Sequence, residues 1–381
     1  MSRQTARSPR RRFLKSALGV AGGSAALAFP AIAKAQGTIA LRWQSAWREQ
    51  DIFHEFAQDA ARKVNEMTGG DLHIEVLPAE AVVPPEGLLD AVSKGTLDGA
   101  HGVLGNHYAK QEAFALWSAG PAFGMDANML LAWHKYGGGR ELLGKLYGAV
   151  GANVVSFPYG PMPTQPMGWF HAPVRRTHDF KSMKLRAVGL AGEIFGSFGA
   201  SVQPVAPADI VQAMASGQLD AAQFRNPTSD RALGLSRVAK ICMVQSYHRN
   251  AQLFEILFNQ TKFEALPRKI RSIIGNAVEA ASSDMSWKAI DRYSRDYEEL
   301  AAKEKVRFLK TPNSILRAQL KAYDAAIARR KDNALLNELV ESQKKFAMRA
   351  VKWDLESNVG RRMAYGHYFA RKPRARTRRK S

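Results

Sequence analysis

One arginine in this chain of 381 residues stands where it could hold a small anion. Arg186 ends a strand-like stretch, just before residues 187–189, which read Ala-Val-Gly. A guanidinium donates two parallel hydrogen bonds to a carboxylate, a geometry that lysine cannot match. The position is therefore compatible with a carboxylate clamp. A surface arginine paired with Asp179 or Glu193 is the alternative that the residues leave open.

A carboxylate lies inside an otherwise apolar stretch. Glu255 belongs to the run Phe-Glu-Ile-Leu-Phe-Asn at residues 254–259. Burying a carboxylate without a partner is very costly, so a buried Glu255 needs a cation or a hydrogen-bond donor. The alternating pattern also permits a strand residue that faces solvent.

A six-residue frame, Gly-x-Leu-Asp followed by two small residues, occurs at residues 95–100 and again at residues 217–222. Each copy follows a helix-like stretch, so we expect its glycine to end a helix in the left-handed conformation and its leucine to start the next strand. Asn106 and Tyr108 follow the first copy. In a fold with two lobes they could donate hydrogen bonds to a ligand from the opposite lobe. A plain turn at residues 106–107 is the alternative.

The surrounding patterns predict an α/β fold with a largely parallel sheet, because strand and helix signals alternate. The two frames lie about 120 residues apart, which favours two similar lobes over a short repeat. The predicted elements of the first half are a strand at 39–45, a helix at 53–67, a strand at 72–77 and a helix from 84 to 95. Those of the second half are a strand at 184–188, a helix at 192–198, a strand at 202–205 and a helix from 207 to 217.

The C-terminal part reads as helix. Residues 313–359 contain no glycine or proline, and their apolar positions recur at three- and four-residue steps. This predicts one very long helix or two helices with a small break near residues 332–333. Such a helix must lie on its own body or on a partner subunit, which makes a homodimer through this helix a further expectation.

The net charge of +21 is concentrated at the two ends. Residues 1–35 and 371–381 each contain seven lysines or arginines and no acid, which leaves about +7 on the rest of the chain. A nucleic-acid reader would carry its charge on a folded face, so we expect no nucleic-acid partner. The tail is interpreted as a disordered, solvated end.

The N-terminus is typical of a secretory signal. Arg-Arg-Arg-Phe-Leu-Lys at residues 10–15 precedes a short apolar run and an Ala-x-Ala pattern at residues 33–35. The arginine pair closely resembles the twin-arginine export signal, so we expect a periplasmic protein that begins near Gln36. The single cysteine, Cys242, excludes an internal disulfide and is interpreted as a small buried apolar residue.

Enzyme motifs are missing from the sequence. It contains no Gly-x-Ser-x-Gly, His-Glu-x-x-His, Walker or dinucleotide-binding pattern. A binding protein that performs no turnover is therefore favoured. A secreted α/β enzyme acting on a small carboxylate is the alternative.

From about residue 43 to about residue 301 the chain resembles the substrate-binding proteins of TRAP (tripartite ATP-independent periplasmic) transporters. The stretches that carry this resemblance are Leu-Arg-Trp-Gln-Ser-Ala-Trp at 41–47, Glu-Ala-Phe-Ala-Leu-Trp at 112–117, Pro-Ala-Phe-Gly-Met at 121–125, Tyr-Gly-Gly-Gly at 136–139, Met-Gly-Trp-Phe at 167–170, Asp-Phe-Lys-Ser-Met-Lys-Leu-Arg at 179–186, Ala-Leu-Gly-Leu at 232–235 with Val-Ala-Lys at 238–240, and residues 254–259. The branch resembled handles 2-oxo and 2-hydroxy monocarboxylates and includes members labelled mannitol/chloroaromatic. The resemblance implies a type II-like, two-lobed periplasmic binding protein that delivers an organic acid to an ion-driven membrane permease.

The resemblance also implies roles for single residues. Arg186 would be the main carboxylate clamp, and Gln165 would contact both the ligand and a bound cation. Glu255 would be a ligand of that cation. Trp169 is interpreted as packing.

The sequence departs from this branch after the second frame. Relatives usually read Glu-Trp where this chain has Gln223 and Phe224. Gln223 still offers an oxygen to a metal, but one negative charge is lost, and Arg225 adds a positive one. Hard cations prefer carboxylate-rich cages. We therefore expect an anionic ligand bound with no bridging cation, or with a weakly held Ca²⁺ or Na⁺.

The predicted site and domains follow from these steps. The expected ligand-binding residues are Arg186, Gln165, Phe224, Gln223, Asn226, Asn106 and Tyr108, and the expected metal ligands are Glu255 and Gln223. The expected domains are a signal peptide at 1–35, a first lobe at 38–156 completed by about 240–284, a second lobe at 157–239 completed by about 285–312, a long C-terminal helix at 313–365 and a basic tail at 366–381.

Overall fold

The structure is a computed structural model that describes residues 37–162 and 165–369. The predicted signal peptide lies outside the described residues, as does the predicted tail apart from residues 366–369, which are helical. Among the described helices, none has the length and apolar character needed to cross a lipid bilayer.

The first lobe is built on a five-stranded sheet. Its strands are β1 (Ile39–Ser45), β2 (Leu72–Leu77), β3 (Gly99–Val103), β4 (Val154–Met162) and β10 (Gln252–Asn259), in the order β2-β1-β3-β10-β4. β10 runs antiparallel to β3 and β4, and β1 runs parallel to β2 and β3. The helices of this part are α1 (Ile52–Met67), α2 (Leu88–Ser93), α3 (Ala127–Tyr136) and α4 (Gly139–Ala149). The largest apolar core of the described residues packs here, with Trp43, Phe56 and Phe254 fully buried.

The second lobe is built on a six-stranded sheet of short strands. These are β5 (Gly168–Phe170), β6 (Lys184–Arg186), β7 (Ser201–Gln203), β8 (Ala221–Ala222), β9 (Ile241–Met243) and β11 (Arg307–Leu309), in the order β11-β9-β5-β8-β6-β7. The helices here are α5 (Gly189–Gly196), α6 (Ile210–Ala215), α7 (Pro227–Leu233) and α8 (Leu235–Val238). The predicted α/β, two-lobed architecture is confirmed.

The chain passes between the two sheets three times. It leaves the first sheet after β4, which ends at Met162, and returns to it at β10 through residues 244–251, so both crossings come several residues after the predicted boundaries at 156 and 239. α9 (Gln260–Ala265) follows β10, and α10 (Arg268–Ala302) then leads from β10 to β11. α10 packs against α1 and β4 of the first lobe and α7 of the second. The crossings bring residues 165–167 and 244–251 to the boundary of the lobes.

The repeated frame forms the same corner in both lobes. Its glycine has a φ of +79° in the first copy and +73° in the second, and its leucine is buried in both. The aspartate accepts a hydrogen bond from the backbone of a neighbouring strand each time: Arg42 N donates to Asp98 at 2.6 Å, and Lys184 N donates to Asp220 at 2.8 Å. The frame is therefore a structural device, and any binding chemistry lies in the residues that follow it.

The C-terminal part contains the predicted long helix as α12 (Ala334–Ser357), with α11 (Asn313–Ala328) before it and α13 (Arg361–Phe369) after it, so the span 313–365 is divided among three helices. The break between α11 and α12 falls where the sequence predicted it. Asn333 is the N-cap residue of α12, because its side chain accepts a hydrogen bond from Leu336 N. These helices pack on their own body: Tyr323 Oη is bonded to the carbonyls of Ala119 and His248 at 2.7 and 2.8 Å.

The single cysteine is a packing residue. Cys242 lies in β9 without any exposed surface. Burial, with Asp230 nearby, raises the pKa of its thiol well above the usual range. A buried, protonated thiol is a poor nucleophile, in agreement with the sequence-based interpretation.

Candidate functional site

Three buried glutamines form a chain across the boundary between the lobes. Gln223 Nε2 donates to Gln165 Oε1 at 2.7 Å, and Gln165 Nε2 donates to Gln252 Oε1 at 3.0 Å. Gln223 follows β8 of the second lobe, Gln252 begins β10 of the first, and Gln165 lies in the crossing between them. Each is at most 2% exposed. These glutamines, which we call the glutamine chain, join the two lobes with neutral amide groups.

Arg186 lies beside the glutamine chain at the end of β6. Its Nη1 donates to the carbonyl of Gln223 at 3.0 Å, and its Nε donates to that of Val205 at 3.1 Å. Within the described part of the chain these bonds leave Nη2 for another acceptor. Burial lowers the pKa of Arg186 to about 9, with a further contribution from Arg249 and Arg225. The two carbonyls fix the fork in place, which is the arrangement that a carboxylate clamp requires.

The ion pairs considered as alternatives for Arg186 are taken by other arginines. Asp179 is bonded to Arg176 at 3.1 Å, and Glu193 is bonded to Arg330 and Arg329. Arg186 has no carboxylate partner among the described residues.

A second arginine, which is half-buried, is bonded to Gln165 through its backbone. Arg249 belongs to the crossing before β10, and its carbonyl accepts from Gln165 N at 3.2 Å. Its Nε is buried and has no hydrogen-bond partner among the described residues. Burial lowers the pKa of Arg249 to about 10, which still leaves the guanidinium charged at neutral pH.

Arg225 reaches from the second lobe to the first. Its Nη1 forms an ion pair with Asp51, the residue that caps α1. Its Cζ lies 4.7 Å from the ring centre of Trp47 and 5.4 Å from that of Phe53, both in the first lobe. The ring of Phe224 lies 4.6 Å from the same Cζ on the second-lobe side. We call this contact the Arg225 clasp.

The negative charges near the site are already engaged. Asp51 pairs with Arg225, and Asp230 accepts from Trp169 Nε1 at 2.7 Å and from the backbone of residues 225 and 226. Complete burial raises the pKa of Asp230 to about 7, so part of its charge is absent at neutral pH. The positive charge of Arg186 and Arg249 is therefore uncompensated, and the site favours an anion.

The carboxylate of Glu255 has hydrogen-bond partners outside the glutamine chain. Its carboxylate accepts from His107 Nε2 at 2.8 Å, from Ser156 Oγ at 2.6 Å and from the hydroxyl of Tyr147. None of these partners belongs to the glutamine chain, and no hydrogen bond joins Glu255 to Gln223 among the described residues. The donors satisfy the buried carboxylate without a cation.

The side chains of Asn106 and Tyr108 form no hydrogen bond with the glutamine chain among the described residues. Tyr108 Oη donates to Glu193 at 2.6 Å and accepts from Arg330 Nη2 at 2.8 Å. Asn106 belongs to the short helix Leu104–His107, and its side chain forms no hydrogen bond within the described residues. Tyr108 therefore belongs to a cluster with Glu193 and Arg330, and Arg330 lies between the C-terminal helices α11 and α12.

Asn226 caps a helix. Its side chain accepts from Ser229 N at 2.9 Å at the start of α7, and Pro227 occupies the first helical position. Loss of such a cap typically costs about 1 kcal/mol.

We expect Asn226→Ala to lower the free energy of unfolding by about 1 kcal/mol, because the N-terminal N–H groups of α7 lose their acceptor. Urea titration followed by circular dichroism would measure it. The exposed Asn276, in the middle of α10, provides the matched control Asn276→Ala, which should not destabilise. Ligand affinity should stay within about twofold in both variants, and a tenfold loss in Asn226→Ala would return this residue to the binding site.

The donor set does not suit a metal ion. Among the described residues there is no group of three or more His, Cys, Asp or Glu side chains that could hold one. The glutamine chain offers one unpartnered buried oxygen, Gln223 Oε1. A hard cation placed there would meet neutral amides and two guanidiniums instead of carboxylates.

Two lobes, with anion-seeking groups at their boundary, define a ligand-binding protein that encloses its ligand between lobes. The bacterial extracellular solute-binding protein family 7 (DctP) matches residues 44–331, so the chain belongs to this family. Members of this family are receptors for solutes outside the cytoplasm, and the enzyme alternative finds no support.

Known proteins resemble this chain in sequence or in fold. A monocarboxylate 2-oxoacid-binding periplasmic protein of Nostoc sp. is 30% identical over 247 residues, which is 64% of this chain and 67% of that protein. A TRAP transporter solute-binding protein of Bordetella bronchiseptica, a dimer with calcium and picolinate, superposes with a TM-score of 0.80 at 24% identity over 87% of this chain and 97% of that one. One of Pseudoalteromonas atlantica with sodium and pyruvate has a TM-score of 0.78 at 24% identity, covering 87% and 99%.

Sequence reasoning missed Gln252, Arg249 and Asp51. Gln252 is the first residue of β10 and Arg249 stands three residues before it, so the only signal is a pair of polar side chains ahead of an apolar strand. For Asp51 the sequence predicts a helix N-cap, but it does not predict the contact with Arg225.

Proposed function

We propose that this protein is the periplasmic receptor of a TRAP transporter, and that it captures a small organic acid between its lobes for an ion-driven permease. The observation that carries the proposal is Arg186, a buried guanidinium that has no carboxylate partner among the described residues and lies beside the glutamine chain. Such a group binds a carboxylate with charge-assisted hydrogen bonds.

The relatives support a small acid as the ligand. Picolinate and pyruvate are compact monocarboxylates, and the Nostoc protein is described as binding monocarboxylate 2-oxoacids. We infer a 2-oxo or 2-hydroxy monocarboxylate for this chain. Relatives hold calcium or sodium with the ligand, whereas the amide and guanidinium groups here favour at most a weakly held cation.

The export route and assembly belong to the same proposal. The arginine pair at residues 10–12 fits twin-arginine export into the periplasm. The outer face of α12 leaves Met348, Trp353 and Leu355 more than 70% exposed, which suits a homodimer contact.

Binding of a small carboxylate should raise the melting temperature of the mature protein, because a ligand that binds only the folded state stabilises it by mass action. A thermal-shift panel of 2-oxo, 2-hydroxy and dicarboxylic acids would measure this, with the corresponding amides and alcohols as uncharged controls. Native mass spectrometry should show one ligand per chain. If no carboxylate shifts the melting temperature, or the amides shift it equally, the proposed function is wrong.

A further inference from the structure

We propose that Arg249 takes the place of the metal cation that accompanies the ligand in structures of relatives. This inference rests on the proposed function, since it concerns the same site. In this arrangement two protein side chains, Arg186 and Arg249, supply the positive charges that contact the ligand carboxylate. Binding of the acid then needs no metal.

The first support is the position of Arg249. Its backbone carbonyl holds Gln165 N at 3.2 Å, so the residue is anchored directly to the glutamine chain. Arg186 is anchored to the other end, through the carbonyl of Gln223. The guanidinium of Arg249 also acts electrostatically on Arg186, because its charge is the next cause after burial that lowers the pKa of Arg186.

The second support is that Arg249 lacks a partner of its own. Its Nε is buried and unpartnered, and within residues 37–162 and 165–369 its guanidinium forms no ion pair or hydrogen bond. An unpaired buried charge is costly, and proteins retain one where a ligand supplies the opposite charge. A carboxylate between Arg186 and Arg249 would satisfy Nη2 of the first and Nε of the second.

The third support is the neutral character of the amide groups. A bound Ca²⁺ or Na⁺ needs oxygen ligands, and its charge is normally balanced by carboxylates. Here the side chains of the glutamine chain, to which Arg186 and Arg249 are both attached, are neutral amides, and Asp51 and Asp230 are held by Arg225 and by N–H donors. A metal would add charge where two cations already repel each other, so metal and Arg249 exclude one another.

The test compares four forms of the mature protein: wild type, Arg249→Gln, the double variant Gln223→Glu/Arg249→Gln, and Arg237→Gln. Arg237 is an exposed arginine of the second lobe and serves as the matched control. Pyruvate and picolinate are titrated by calorimetry in excess chelator and again with calcium. Melting temperatures without ligand show whether each variant is folded.

We expect wild type and Arg237→Gln to bind with the same affinity in chelator and in calcium. Arg249→Gln should bind at least tenfold more weakly in both, because a charge-assisted hydrogen bond is lost. The double variant should be weak in chelator and recover at least tenfold in calcium, since its new carboxylate restores a cation ligand. Arg249→Lys, which keeps the charge, should lose less than Arg249→Gln and tests the role if the latter fails to fold.

Three results would overturn the inference. The first is wild-type binding that requires stoichiometric calcium or sodium, and the second is an Arg249→Gln variant with unchanged affinity. The third is a folded double variant that calcium does not rescue. The first two leave the proposed function intact, because a carboxylate is still bound. If wild type binds neither acid and no member of the thermal-shift panel, the proposed function fails as well.

Discussion

Replacing Arg186 by lysine will weaken carboxylate binding at least about a hundredfold, close to the loss of measurable affinity. Lysine keeps the positive charge but has a single point donor, so it cannot satisfy two backbone carbonyls and a carboxylate in one plane. In wild type the carbonyls of Val205 and Gln223 fix the fork and direct Nη2. The lysine variant loses this fixed direction, and Gln223 loses a neighbour that orders its backbone.

Isothermal titration with the acid that gives the largest thermal shift would measure this loss. Arg175 is an exposed arginine of the second lobe, and Arg175→Lys is the matched control that should bind like wild type. The folded state of Arg186→Lys is checked by its melting temperature without ligand. A folded lysine variant whose affinity is within threefold of wild type would show that Arg186 is a structural arginine.

The elements of the fold could be predicted because their signals are local. The glycine of the repeated frame adopts a positive φ and its leucine is buried in both copies, so both copies form the same corner, from which the aspartate bonds a neighbouring strand. The break between α11 and α12 likewise carries its own capping residue, Asn333. Local rules of this kind hold because the lobes impose no conflicting geometry on them.

The site was harder to predict because its residues are brought together from distant segments. Glu255 and Gln252 belong to the same strand and are three residues apart, yet Glu255 meets His107 and Tyr147 while Gln252 meets Gln165. Which partner a strand residue finds depends on the neighbouring strand and the crossing chain, and no local pattern encodes either. A buried carboxylate therefore signalled that a partner exists without revealing its identity.

Arg225 shows a second limit of sequence reasoning. The sequence indicated only that its positive charge opposes a metal. The structure adds that it crosses the lobe boundary, because Asp51 is 174 residues away in the chain. Two roles are then possible for the same residue: it attracts the anion electrostatically, or it holds the lobes together.

Variants of the Arg225 clasp distinguish these two roles, because the roles predict opposite effects of Asp51→Asn on ligand affinity. If Arg225 only attracts the anion, Asp51→Asn removes a negative charge and should strengthen ligand binding. If the clasp stabilises the closed arrangement, Asp51→Asn and Arg225→Gln should both weaken binding, because the ion pair joins the two lobes. We expect the second result, with a loss of about 10- to 100-fold in each single variant.

A double-mutant cycle gives the coupling between the two residues. The double variant Asp51→Asn/Arg225→Gln should bind about as weakly as either single variant, since the same contact is lost only once. Ser229→Ala is an intermediate case, because Ser229 Oγ donates to Asp51 Oδ1 at 3.0 Å without an ion pair, and it should lose no more than about tenfold. Small-angle scattering of the ligand-saturated variants should show a larger radius of gyration than wild type. Additive losses, or tighter binding by Asp51→Asn, would show that the clasp does not hold the lobes closed.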